Sequence, residues 1–268
     1  MSTDGEIGCR AALVSPTGSR SQGPYRAVFF DAGSTLIEAR LNRTDRFLHF
    51  AEDWGLPVSA DAARQAHERL WKAHFANGFP EGTPAADAAR WIGFYRELLA
   101  DLHVADHGDA VAARLASACD YRYWMAPYPD SAAVLAELRG RIKLGLLSNA
   151  PPSLRQVMTD LGLATYFDEM TISGEVGVRK PDPAIYRVAL DSLGVDARES
   201  LFVDDLEENL VAAQQVGMDC LLMDRRDVRP LTAFERVTDL WGVVRRLRLS
   251  DAQRRAVAAV GGVGEGED

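Results

Sequence analysis

The sequence predicts an α/β fold: a doubly wound parallel sheet interrupted by an all-helical insertion. Three observations carry this. Five short apolar runs, over residues 27–30, 142–147, 170–172, 201–203 and 220–223, are nearly continuous rather than alternating, as in strands buried on both faces. Segments of helical period stand between most of them with short connections, the rhythm of strand–helix–strand units. Between the first and second runs, by contrast, only helical patterns occur.

Taken in chain order, residues 1–24 are rich in Ser, Gly, Pro and Thr and are expected to be disordered. The first strand follows at 27–30. The expected insertion spans 40–125, with candidate helices at 44–54, 60–76, 85–102 and 109–123. Gly55 and Pro57, the stretch 78–84, and the Pro127 and Pro129 pair break them. Core helices are expected at 131–139, 153–161, 184–193 and 207–216, with Gly140, Gly162, Gly194 and Gly217 where they should stop. The α/β core is thus expected over 25–39 and 126–248, and residues 249–268, ending in GGVGEGED, form a flexible tail.

Composition excludes several function classes. The chain has 268 residues, 47% hydrophobic and 26% charged, so it can bury a substantial core. A net charge of -9 argues against nucleic acid as the partner, since backbone binding needs clustered Lys and Arg. The arginine runs Arg225, Arg226, Arg229 and Arg245, Arg246, Arg248 are read as solvated faces. No stretch approaches the roughly 18 apolar residues of a membrane helix, and the N-terminus lacks the apolar run of a signal peptide. Cys9, Cys119 and Cys220 are odd in number and widely spaced, which suggests neither disulfides nor a zinc site and fits a reducing cytoplasm.

In a doubly wound sheet, ligands bind at the carboxyl ends of the strands. Asp31 ends the first strand, in VFFDAGSTL, ahead of small residues that permit a tight loop; Asp is also a common turn residue. Ser148 and Asn149 end the second, a hydroxyl and an amide that could hold an anionic oxygen or cap the next helix. Lys180 lies in SGEVGVRKPDP, where a surface lysine is the bland alternative. Asp204 and Asp205 end the fourth strand, where acids could also cap a helix.

The order Asp, Ser, Lys, Asp-Asp, each near the end of a successive strand, resembles the haloacid dehalogenase superfamily over residues 27–223. The resemblance implies a Rossmann-like core with a helical cap of the C1 type, and a hydrolase in which Asp31 attacks phosphorus or carbon. Ser148 and Lys180 would bind the developing negative charge, with Asn149 beside them on substrate. Asp31, Asp205 and the Gly33 carbonyl would hold Mg²⁺, Asp204 would support that shell or orient Lys180, and Asn209 would bond back from the next helix. A carboxylate nearing a phosphate meets roughly 4 kcal/mol per charge pair at about 4 Å and an effective dielectric near 20, which cation and lysine offset.

One position departs from the pattern. Phosphatases of this superfamily usually carry an acid–base Asp two residues after the nucleophile, and here that residue is Gly33; such a group typically supplies about 10² to 10⁴ in rate. A magnesium-dependent phosphatase on a small phosphorylated metabolite is the leading expectation. A 2-haloacid dehalogenase, which needs no such acid but usually has Ser-Ser-Asn where this chain has Val-Asp-Asp, is the alternative. A binding protein that retains the fold is a third. In the insertion, His67, Trp71 and His74 share a helical face that lines a cavity or packs on a neighbour. His49, His103 and His107 show no metal spacing.

Overall fold

A computed structural model describes residues 25–76, 82–104, 108–229 and 231–247. The expected N-terminal segment, the C-terminal tail, Cys9, His107 and Arg248 lie outside them. Eight strands occur among the described residues: β1 (Ala27–Phe30), β2 (Ile37–Ala39), β3 (Met125–Pro127), β4 (Lys143–Ser148), β5 (Glu169–Ile172), β6 (Ser200–Asp204), β7 (Asp219–Met223) and β8 (Arg236–Val237). Six form one sheet in the order β5-β4-β1-β6-β7-β8, every pairing parallel. β1 pairs with β4 on one side and β6 on the other, so the connections diverge there and open a crevice at its carboxyl end.

The near-continuous apolar runs follow from burial on both faces, with side chains alternating between them. Val28, Phe30, Leu144, Leu146, Leu201 and Val203 face one core, which α5 (Ser131–Leu138), α6 (Leu154–Asp160) and a last helix over 240–247 cover. Ala27, Phe29, Leu147 and Phe202 face the other, under α8 (Pro183–Leu193) and α9 (Glu207–Val216). β4 ends one residue beyond its apolar run because Ser148 still pairs with Ile172, and β6 includes Asp204 because that residue pairs with Leu222. β8, β2, β3 and the one-turn α7 (Ser173–Val176) are too short to leave an apolar run.

Among the described residues, four α-helices lie between β2 and β3, α1 (Arg43–Asp53), α2 (Ala60–Phe75), α3 (Pro84–Asp101) and α4 (Gly108–Ala118), with an apolar core of their own around Phe47, Phe94, Leu98 and Leu115. Asn42, Ser59 and Thr83 cap the first three, each side chain accepting from main-chain N–H groups of the first turn. The fourth stops at Ala118 rather than at residue 123, because the Asp120 carboxylate takes the Arg122 N–H and starts a separate turn. β2 and β3 pair antiparallel, Ile37 opposite Pro127 and Ala39 opposite Met125, where the chain leaves and rejoins the sheet. No described helix is long and apolar enough to cross a membrane.

Gly145 in β4 is the tightest point between sheet and helix: a Cβ there would lie 2.4 Å from the buried Phe29 ring and 3.0 Å from Leu193. Gly145→Ala is therefore expected to destabilise the protein by about 1–3 kcal/mol, the usual range for overpacking. Urea denaturation checks this; an unchanged midpoint would show that Phe29 can move aside.

Candidate active site

The first loop of the site begins at Asp31, whose N–H still bonds to the Val203 carbonyl. The chain then folds back so that the Leu36 and Ile37 amides both reach the Ala32 carbonyl, at 2.8 and 2.9 Å. The small residues at 32–35 allow this turn, with Ser34 in the left-handed region at φ 57°. Gly33 needs no left-handed backbone, and a Cβ there would meet no atom within 4 Å.

Ser148, the last residue of β4, donates to Asp31 Oδ1 at 3.2 Å. Lys180, only 1% exposed, donates from Nζ to Asp31 Oδ1 at 2.7 Å and to Asp204 Oδ2 at 2.6 Å. Asp204, fully buried, also accepts from the Leu206 N–H and from Asn209 Nδ2, which reaches both of its oxygens at 3.0 and 3.1 Å. The chain of contacts thus runs Ser148–Asp31–Lys180–Asp204–Asn209 across the ends of β4, β1 and β6. Of the two options for Asp204, this geometry matches the orientation of Lys180.

Asn149 makes a contact that the sequence did not indicate. Its carboxamide makes a reciprocal pair with the Lys180 main chain, accepting from the N–H and donating to the carbonyl, both at 2.8 Å. Nor does Ser148 or Asn149 cap the next helix: α6 begins at Leu154 after Ser153, five residues beyond β4. Asn149 clamps the lysine loop onto the end of β4, which delivers the ammonium to Asp31.

Three carboxylates share one ammonium here. Burial pushes Asp31 up to about 7 against the pull of Lys180, with Asp204 adding to the rise. Burial, then Asp204, pushes Asp205 up to about 6. Burial alone would lower Lys180, but Asp204 and Asp31 outweigh it and hold the ammonium charged.

Among the described residues no hydrogen bond ends on Asp31 Oδ2, and the Asp205 carboxylate is held only by its own main-chain N–H. Two carboxylates with hard oxygen donors, beside the exposed Gly33, suit a hard divalent cation. No group of three or more His, Cys, Asp or Glu is arranged to hold a metal among the described residues. The expected donor set has two carboxylates and one carbonyl, and Mg²⁺ usually keeps several waters.

Two arginines belong to this end of the sheet, which corrects their reading as solvated faces. Arg225 grips the Asp130 carboxylate through Nη1 at 2.9 and 2.8 Å and donates to the Thr35 carbonyl of the Asp31 loop. Arg229 donates to the Asp205 carbonyl. Their signal was position: the run follows β7, so it too stands at a carboxyl end. Arg226 and Arg245 are exposed, as expected.

The model of the haloacid dehalogenase-like hydrolases matches residues 25–217. The chain belongs to that family. It is 35% identical over 176 residues to a phosphoserine phosphatase of Thermus thermophilus, covering 63% of this chain and 68% of that one. To a phosphatase of Mycobacterium tuberculosis it is 33% identical over 222 residues, 80% of this chain and 96% of that one. The fold is also that of a defluorinating L-2-haloacid dehalogenase, with a TM-score of 0.64 at 22% identity over 84% of this chain and 95% of that one. The protein is a hydrolase of this family, with an α/β core of parallel strands.

A pH dependence follows from Asp31. With the carboxyl at about 7 in the fold against 3.8 ordinarily, the folded protein binds this proton more tightly than the unfolded chain. Stability is therefore lost as pH rises between those values, and the penalty is full above them. Asn does not titrate, so in chelator Asp31→Asn should gain more stability over the parent at pH 8 than at pH 5. Urea unfolding at the two pH values checks it; an equal difference at both would contradict the raised carboxyl.

Proposed function

We propose that this hydrolase is a magnesium-dependent phosphatase acting on a small phosphorylated metabolite through an aspartyl-phosphate on Asp31. The observation that carries this reading is the division of labour on one carboxylate. Oδ1 is held by Ser148 and Lys180, while Oδ2 accepts no hydrogen bond among the described residues. An oriented carboxylate with one uncommitted oxygen suits attack on phosphorus. That attack expels the alcohol as the Asp31–phosphoryl bond forms; water then attacks phosphorus, releasing phosphate and restoring the carboxylate. Ser148 and Lys180 stabilise the charge that develops on the transferred group.

Asp31, Asp205 and the Gly33 carbonyl would hold magnesium, which when bound offsets the repulsion between carboxylate and phosphate and favours ionised Asp31. Asp204, Asn209 and Asn149 act on Lys180 rather than on substrate. Both relatives named above carry phosphatase names at 33–35% identity, whereas the likeness to a dehalogenase rests on fold. We take residues 40–125 as a cap over the core of 25–39 and 126–248. Contacts between insertion and core loops support this, among them Ser153 to Asp87 at 2.6 Å and Gly82 to the Gly174 carbonyl at 3.1 Å. The thiols of Cys119 and Cys220, both free, suit the reducing cytoplasm.

Gly33 shapes the chemistry: with no acid beside the leaving oxygen, the alcohol departs unassisted. Carbon-centred displacement of halide remains the second reading for the same reason. The test is release of phosphate from aryl and alkyl esters, and of halide from 2-haloacids, with and without magnesium, on the parent, Asp31→Asn and Gly33→Asp. Magnesium-dependent phosphate release that Asp31→Asn abolishes is expected. Because a Cβ at Gly33 would meet nothing within 4 Å, Gly33→Asp should raise turnover of alkyl esters by up to about 10² to 10⁴, and of activated aryl esters less. Metal-independent halide release would favour the second reading. A folded Gly33→Asp with no preferential gain on alkyl esters would overturn the impaired-acid interpretation.

A further inference from the structure

A cavity of about 340 Å³ lies between the helical insertion and the core. It is bordered by Ala39 at the end of β2 and by Pro151, three residues beyond Ser148. Three residues span at most about 11 Å, so Pro151 stands close to the reacting end of the sheet. Trp71, Trp91 and Tyr95 supply an aromatic wall, the two indoles packed at 6.2 Å between centroids and 31° between planes. His67 and Trp71 therefore line a cavity, whereas His74, which shares their helical face, turns to Glu97 at 2.8 Å.

The polar groups of this cavity are short of partners. His67 is 1% exposed, and neither ring nitrogen has a hydrogen-bond partner. Burial, then Arg43 and Arg46, hold the ring uncharged by lowering it to about 4, so it offers one donor and one acceptor. Arg46, 9% exposed, gives Nη1 to the Cys119 carbonyl at 3.0 Å but leaves Nε unpaired. Arg43 stacks 4.1 Å over the Trp71 ring, its Nε also unpaired. Buried polar groups are nearly always satisfied; Arg43, Arg46 and His67 all border this one space, although the unpaired atoms themselves are closed to solvent.

The charges favour a monoanion. Arg43 is offset by Glu68 at 3.5 Å, and Asp120, also on the wall, is paired with Arg122 at 2.6 Å. Arg46 forms no ion pair among the described residues, so one positive charge is left over. That matches a carboxylate better than a second phosphate dianion. We infer that the cavity is the leaving-group subsite and selects substrates whose alcohol portion carries a carboxylate on a flat, apolar body, bound by Arg46 and Arg43 against the Trp71–Trp91 wall. This rests on the phosphatase reading for the identity of the reaction, but not for the binding.

The test is metal-free calorimetry with 4-hydroxybenzoate and its neutral counterpart 4-hydroxybenzamide, on the parent, Arg46→Gln and Arg43→Gln. The acid is expected to bind the parent at least about 10-fold more tightly than the amide, and each variant should lose that preference while keeping its amide affinity. Arg43 is partly exposed, so its variant remains informative if Arg46→Gln fails to fold. Equal binding of acid and amide by the parent, no binding of either at millimolar concentration, or a folded Arg46→Gln and Arg43→Gln that both keep the preference would each overturn the subsite. Steady-state rates on 4-carboxyphenyl and 4-carbamoylphenyl phosphate separate this from the activity. Hydrolysis of both with equal kcat/KM sinks the subsite and leaves the phosphatase, whereas acid-selective binding without hydrolysis of any ester does the reverse.

Discussion

The site depends on one buried ammonium. Lys180 lies between Asp31 and Asp204 at 2.7 and 2.6 Å, with almost no access to solvent. Burying a charge is costly unless it is paired, and losing one partner of such a pair typically costs about 3–5 kcal/mol. The fold surrounds this lysine with what it requires. Asn149 holds its main chain from the end of β4, Asp204 takes its charge from the end of β6, and Asn209 and the Leu206 N–H fix Asp204 in turn. Asp31 inherits its orientation from that frame. Strand ends that diverge at β1 thus become a single electrostatic unit.

The same frame makes the site incomplete on its own. One ammonium cannot neutralise Asp31, Asp204 and Asp205, and with Asp204 closest to it and fully buried the other two carboxyls are pushed up to about 7 and about 6. A cation placed beside such carboxyls would favour their ionised form. Gly33 sets the other limit, since nothing beside the Asp31 loop protonates a leaving oxygen from that position. A family member of this kind is expected to favour esters whose alcohol leaves easily, which agrees with an aromatic cavity that accepts a flat leaving group.

Much of this was legible in the sequence, for reasons particular to each residue. The five core strands were visible because Val28 and Phe29, or Leu201 and Phe202, bury on opposite faces, which removes alternation and leaves apolar runs. Asp31, Ser148 and Asp204 were found because they end such runs. What contacts what could not be read. The reciprocal pairing of Asn149 with Lys180 leaves no sequence signal, and Arg225 and Arg229 look like a solvated face until the loop after β7 folds back over Thr35 and Asp205. A helical face carrying His67, Trp71 and His74 could not say which of them enters a cavity, since that depends on Glu97 from the neighbouring helix.

The most direct measurement is of the group that becomes covalently modified. The protein would be quenched with acid during turnover of an activated aryl phosphate with magnesium, digested and sequenced by mass spectrometry. A phosphoryl group on Asp31, absent when Asp31→Asn is treated alike, is the expected result. Steady turnover with no phosphoryl group on any aspartate, or with the group on Asp204 or Asp205, would contradict it.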